Sequence, residues 1–282
     1  MKFISGLLIG LQLLSLNGCS SLLYYPDSRT YLDPGRIGLE AENVWIRNPE
    51  SALIHAWHFP AQKEGKLLKP KAMIVFFHGN AQNITSHYLM LAWLLEYGYS
   101  YTIFDYRGYG WSRGKPSPKS TLEDGHTVLK YVHEKYPELP LVIFGQSLGG
   151  AVALRTVIDL KKEIPIRLVV ADSTFESYQN AAQDVLARVW LLWPFQLLTH
   201  VLLSDEYAPE GRMGEISPTP LVIMHGDRDG TIDIERGKEL YRNAKEPKEF
   251  WLTSGGGHTD AFASPQSPAR TKLLRKLAET CP

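Results

Sequence analysis

Cysteine is nearly absent: Cys19 and Cys281 are the only two in 282 residues. So few cannot form the disulfide framework that staples small exported domains, so the fold must rest on its core. An excess of either charge is missing too, with Lys+Arg and Asp+Glu both 30 and a formal net charge of zero. That balance argues against nucleic acid as a partner, which normally meets a basic surface. Hydrophobic residues reach 44%, ordinary for a globular chain and too low for a protein of many membrane spans. No HExxH segment occurs and the histidines are not at ligand spacing, so no metal is expected. Gly255-Gly256-Gly257 lacks the Lys-Ser/Thr ending of a phosphate loop, and no cofactor is expected. Internal repeats and low-complexity tracts are also lacking.

What is present begins with a leader. Met1-Lys2 is a short positive region, Phe3 to Leu16 is apolar with few interruptions, and Leu16-Asn17-Gly18-Cys19 follows. This reads as a secretory signal, to be set aside in fold reasoning. Its end resembles a bacterial lipobox, with Cys19 the residue to be lipidated, although Asn17 departs from the usual small residue. Ser20 and Ser21, with no Asp after the cysteine, resemble the outer-membrane sorting pattern. The expectation is a lipid anchor in the bacterial envelope, and that resemblance implies an outer-membrane site facing the periplasm; an uncleaved anchor or a buried apolar strand is the alternative, and the stretch is short for a spanning helix.

Three segments follow from this: a signal over residues 1–18, a tether over 19–42, and one large domain over 43–282. The tether is rich in Tyr, Pro, Gly and Asp and has no clear period. In the domain, runs at 43–47 and 53–59 predict two antiparallel strands. Strands are then expected at 72–77, 101–104, 141–144, 167–171, 221–224 and 249–252, and helices at 86–96, 121–135, 148–160, 234–244 and 268–279. Continuous apolar runs of strand length imply burial on both faces, and their alternation with helices implies an α/β domain with a mainly parallel central sheet and helices on both faces. Residues 176–217 exceed what one crossover needs. Their middle, which contains Trp190, Trp193 and Phe195, is apolar nearly all round, and Pro194 should interrupt it. A lid with an acyl-binding wall is one reading; a helix pair on the sheet edge is the other.

Gly145-Gln146-Ser147-Leu148-Gly149 carries the most information. It sits between the run Leu141 to Phe144 and a helix opening at Leu148, which is the setting of a nucleophile elbow. Glycine on each side lets strand and helix approach while the turn lifts the Ser147 hydroxyl clear. Acyl transfer by serine also needs a base, an orienter and oxyanion donors. These should follow other strands, because reactive groups gather beyond the carboxyl ends of such a sheet. His258, in a glycine-rich loop after the last strand, is the expected base. Asp229 is the expected acid, with Asp227 making turn bonds and Asp172 in reserve. The N–H groups of Asn80 and Leu148 are the expected oxyanion donors. His78 is expected to brace its loop, and Asp105 and Arg107 to hold neighbouring loops by ion pairs.

Phe77-His78-Gly79-Asn80, Asp105-Tyr106-Arg107-Gly108-Tyr109-Gly110, Gly145 to Gly150, His225-Gly226-Asp227-Arg228-Asp229 and Gly257-His258 together resemble the α/β-hydrolase superfamily. The likeness is nearest to Bem46-like serine hydrolases, which include eukaryotic depalmitoylases, and spans Val44 to the C-terminus. It implies the α/β-hydrolase fold, the triad Ser147, Asp229 and His258, and esterase, lipase or thioesterase activity on acyl substrates such as palmitate esters. A serine nucleophile disfavours the dehalogenase and epoxide-hydrolase chemistries of that fold. A binding or assembly lipoprotein that kept the fold without turnover is the competing expectation. Oligomeric state is not fixed by any of these features.

Overall fold

The computed structural model describes residues 23–50, 52–188 and 197–282. The sheet is built from β1 (Glu42–Arg47), β2 (Leu53–Phe59), β3 (Ala72–Phe77), β4 (Tyr99–Phe104), β5 (Leu141–Gln146), β6 (Ile166–Asp172), β7 (Leu221–Gly226) and β8 (Lys248–Thr253). Their order is β1-β2-β4-β3-β5-β6-β7-β8 in one eight-stranded sheet. The first two pairings, β1 with β2 and β2 with β4, are antiparallel, and the rest are parallel. Every residue of β3, β4, β5 and β7 is buried, as strands covered on both faces require. Edge strand β1 instead alternates, burying Val44 and Ile46 and exposing their neighbours.

Successive side chains point to opposite faces of a strand, and two cores result. Val75, Phe77 and Ile143 pack with Val128 and Leu129 of α3 (Pro118–Lys135) and Val152 and Val157 of α4 (Leu148–Leu160). Ile74, Phe76 and Phe144 pack on the other side with Tyr88, Leu91 and Leu94, and with Leu273 and Leu277 of α8 (Pro268–Thr280). The remaining crossover, α7 (Ile234–Asn243), buries Leu240 between β7 and β8.

Two elements differ from the sequence reading in detail. The helix expected over 86–96 is three short turns, α1 (Ile84–His87), α2 (Leu89–Ala92) and a 3-10 turn at Leu95–Tyr97. Its buried residues Tyr88, Leu91 and Leu94 lie three apart, and Leu94 N–H and Tyr97 N–H each donate to the carbonyl three residues back, a 3-10 preference. Helix α3 starts three residues earlier than expected because Ser117 and Ser120 form a reciprocal cap with Pro118 in the first turn.

Residues 176–217 leave the sheet after β6. They contain α5 (Tyr178–Arg188), α6 (Thr199–Leu202) and a 3-10 turn at Met213–Glu215. Asp205 accepts from Tyr178 N–H and the Ser177 hydroxyl, both at 2.6 Å, tying the chain after α6 to the start of α5. Ala208, Met213 and Ile216 return it to the core. At the other end of the chain, residues read as tether lie partly on the domain: Tyr24 is buried and Pro26 forms a parallel bridge with Gln82.

Candidate active site

The elbow is built by contact. Ser147 has φ 53° and ψ −126°, a left-handed conformation that costs a residue with a Cβ roughly 1–3 kcal/mol and needs its surroundings to hold it. Ser147 N–H donates to the Asp172 carbonyl at 2.8 Å, and the Thr174 hydroxyl donates to the Ser147 carbonyl at 2.6 Å. Helix and strand are too close for any side chain at the flanking glycines. A Cβ on Gly149 would lie 2.2 Å from the His78 carbonyl oxygen, and one on Gly145 would lie 2.6 Å from the Gly150 Cα.

The loops after β5, β7 and β8 meet at Ser147. His258 Nε2 lies 3.0 Å from Ser147 Oγ, and His258 Nδ1 lies 2.8 Å from Asp229 Oδ2. A carboxylate only accepts, so the ring proton sits on Nδ1 and Nε2 is left to accept from the hydroxyl. Asp229 is fixed from its other side: Oδ1 accepts from the Thr231 and Ile232 N–H groups at 2.8 and 2.9 Å. Burial pushes its pKa up, but hydrogen bonds from His225 and His258 and the Ile232 N–H outweigh that and hold it well below the usual carboxylate range. Asp229 is therefore ionised at neutral pH.

Asp227 occupies the structural role expected of it, accepting from Gly255 N–H at 2.7 Å and so tying the Asp229 loop to the His258 loop. Asp172, held in reserve as the acid, is buried behind the site and bonded to Ser173 Oγ at 3.0 Å. Burial pushes its carboxyl up to about 6. Its hydrogen-bonded link to the His258 loop runs through Ser173, whose hydroxyl accepts from Thr259 N–H at 3.1 Å.

Asn80 lies in the turn after β3 and Leu148 opens α4. Among the described residues neither N–H is used in the backbone bonding of the turns and loops, and Leu148 N–H belongs to the first turn of its helix, which has no intrahelical acceptor. The Asn80 turn is itself strained, with Ala81 at φ 63° and Gln82 at φ 56°. His78 braces it as expected: its buried ring stacks on His87 at 5.0 Å, and Nδ1 contacts the Gly79 carbonyl at 2.7 Å. Burial keeps both imidazoles below their ordinary pKa, hence neutral. Arg107 bonds Asp124 and Glu50, at 2.8 and 2.7 Å, and Asp105 accepts from Ile84 N–H at 2.9 Å and lies 3.6 Å from His55 Nδ1 and 3.7 Å from His78 Nε2. The expected substrate-wall residues Trp190, Trp193 and Phe195, and Cys19, lie outside the described residues.

Sequence reasoning missed the second row of groups. His225 is fully buried, with Nε2 at 3.3 Å from Asp229 Oδ2 and 3.1 Å from the Ile232 carbonyl. Two accepting neighbours place its proton on Nε2. The signal was its position at the carboxyl end of β7, four residues before Asp229. Ser173 and Thr174 carried no sequence signal; only folding brings them to the elbow.

These groups can move a proton from a hydroxyl to an imidazole held by a carboxylate, beside two unspent amides. Comparison with known proteins agrees on the framework. The model of the Hydrolase_4 family, described as serine aminopeptidase, S33, matches residues 68–209. An uncharacterised Escherichia coli K12 protein, YfhR, is 34% identical over 245 residues, spanning 86% of this chain and 81% of its own. The chain belongs to the serine aminopeptidase, S33 family of α/β hydrolases. Within and around that family, mouse lysophosphatidylserine lipase ABHD12 is 28% identical over 216 residues, covering 74% of this chain and 52% of the lipase. The structure of the Pyrococcus furiosus esterase Pf2001 superposes with a TM-score of 0.71 at 21% identity, over 92% of this chain and 98% of the esterase. That likeness establishes the α/β-hydrolase fold.

Proposed function

We propose that this family member is a serine hydrolase that cleaves carboxylic ester or thioester bonds of acyl substrates. The observation that supports it most is the unbroken line of hydrogen bonds from Ser147 through His258 to Asp229, at 3.0 and 2.8 Å. Ser147 Oγ attacks the carbonyl carbon while its proton passes to His258 Nε2. Asp229 keeps Nδ1–H in place and stabilises the imidazolium without taking the proton. The charge that gathers on the carbonyl oxygen meets the Asn80 and Leu148 N–H groups. Collapse of this intermediate breaks the bond to the leaving alcohol or thiol, which takes the proton from His258. Water then gives a proton to His258 as its oxygen attacks the acyl-Ser147 ester, and His258 returns that proton to Ser147 Oγ as the bond to the acyl group breaks and the acid leaves. The lipase named among the relatives and the esterase that shares the fold support an ester reading.

A fluorophosphonate probe tests the proposal. Labelling of the wild-type chain that disappears in Ser147→Ala supports it. Folded protein that takes no label and hydrolyses no p-nitrophenyl ester or acyl thioester would instead favour a binding role on a hydrolase fold. We also propose that Trp190, Trp193 and Phe195 form an apolar wall for the acyl chain, and that Cys19 carries a lipid that holds the domain at the outer membrane, facing the periplasm.

A further inference from the structure

The turn that carries Asn80 is held from outside the sheet, by residues 23–29. Asn80 Nδ2 donates to the Leu23 carbonyl at 2.6 Å, and Asn80 Oδ1 accepts from Tyr25 N–H at 3.0 Å. Pro26 bridges Gln82. Asn83 Nδ2 donates to Asp27 Oδ1 and to the Arg29 carbonyl, both at 2.8 Å. The segment is itself fixed to the domain: the Tyr24 hydroxyl lies 3.3 Å from Thr121 Oγ1, and Gly110 N–H donates to the Asp27 carbonyl at 2.8 Å.

The turn needs such holding. Ala81 and Gln82 are consecutive non-glycine residues in the left-handed region, which side chains disfavour and which persists only where neighbours over-determine it. Apart from these bonds, Asn80 Oδ1 accepts from the Tyr109 hydroxyl at 2.7 Å and the Ala81 carbonyl lies 3.2 Å from His87 Nε2. The Asn80 side chain is thus committed to docking, while its backbone N–H has no backbone acceptor among the described residues.

We infer that residues 23–29 are a strap that positions the Asn80 N–H for the oxyanion, acting through the side chains of Asn80 and Asn83. This rests on the proposed assignment of that N–H as an oxyanion donor. The strap residues are positioning residues; none touches substrate. Cutting the strap should misplace one donor and leave Ser147, His258, Asp229 and the Leu148 N–H untouched. A donor lost outright costs about two to three orders of magnitude in rate, so a loosened one should cost about one to two.

The test uses the full chain and its hydrolysis of p-nitrophenyl butyrate. Asp27→Ala and Asn83→Ala should each lower kcat about 10- to 100-fold with KM within about twofold. The inhibition constant of an arylboronic acid, whose tetrahedral adduct on serine presents an oxygen to the same amides, should rise by the same factor. Asp27→Asn keeps the Oδ1 acceptor and should restore most of the loss; it also decides the matter if Asn83→Ala does not fold. Folded Asp27→Ala with wild-type kcat, or a loss seen only in KM with unchanged boronate inhibition, overturns the strap. Wild-type protein that neither labels with fluorophosphonate nor hydrolyses esters overturns the hydrolase reading instead.

Discussion

His225 Nε2 lies 3.3 Å from Asp229 Oδ2, and neither side chain has access to solvent. Oδ2 therefore faces two ring N–H groups, from His225 and from His258, while Oδ1 accepts from two backbone N–H groups. His225→Leu removes one donor while keeping an apolar volume in the site. Loss of a hydrogen bond to a buried charge costs about 1.5–3 kcal/mol. The folded pKa of Asp229 is depressed, so its contribution is complete above the ordinary carboxylate range and lost as pH falls through the lowered value. Denaturant melts should show the variant less stable at pH 7, with the gap narrowing in acid. A gap that does not change with pH would contradict this account.

Asp172 and Asp229 should separate cleanly in kinetics. Asp229→Asn should lower kcat by about four orders of magnitude, through the wrong imidazole tautomer. Asp172→Asn should leave most of it, because among the described residues Asp172 makes no hydrogen bond to His258 and is linked to its loop through Ser173. The sign of its stability effect is opposite to that of Asp229. Its folded pKa is raised from 3.8 to about 6, so the folded state binds the extra proton between those values and stability falls as pH rises through that window. Melting curves of wild type and Asp172→Asn from pH 4 to pH 7 should show the variant gaining on the wild type.

Gly149→Ala places a Cβ 2.2 Å from the His78 oxygen and 2.3 Å from the Phe77 oxygen. Both are backbone atoms at the end of β3, so relief requires the elbow and the Asn80 turn to part. The variant should lose activity and about 2–3 kcal/mol of stability, measured by denaturant unfolding. Gly230→Ala, whose Cβ meets nothing within 4 Å, should be close to neutral.

Much of this site could be read from the chain because its strongest signals are local. The elbow needs Gly145 and Gly149 at fixed spacing around Ser147, and the structure shows the contacts that demand them. Strand order then pointed to Asp229 and His258, and the structure sets His258 against Ser147 and Asp229 against His258. The rest is non-local. His225, Ser173 and Thr174 act across space. Residues 23–29 have no period to reveal them, since their bonds run to side chains of Asn80 and Asn83 more than fifty positions away. The start of α3 was legible in Ser117-Pro118 with Ser120 and was passed over, because the apolar spacing begins later.

The proposed anchor has a geometric consequence. Cys19 precedes Leu23 by four residues, a reach of at most about 14 Å, and the Leu23 carbonyl is bonded to Asn80. Acylation at Cys19 would therefore keep the site mouth near the bilayer. Cells expressing the wild type should carry the protein in the outer-membrane fraction, and Cys19→Ala should shift it out of that fraction. Equal partition of both forms would count against the anchor.

The most direct measurement of the central claim is mass analysis of protein quenched in acid during turnover of a slow acyl ester. The account predicts a gain of one acyl group on the peptide that carries Ser147, accumulating on the wild type and absent from Ser147→Ala. Turnover with no acyl group on that peptide, or with the group on another residue, would contradict it.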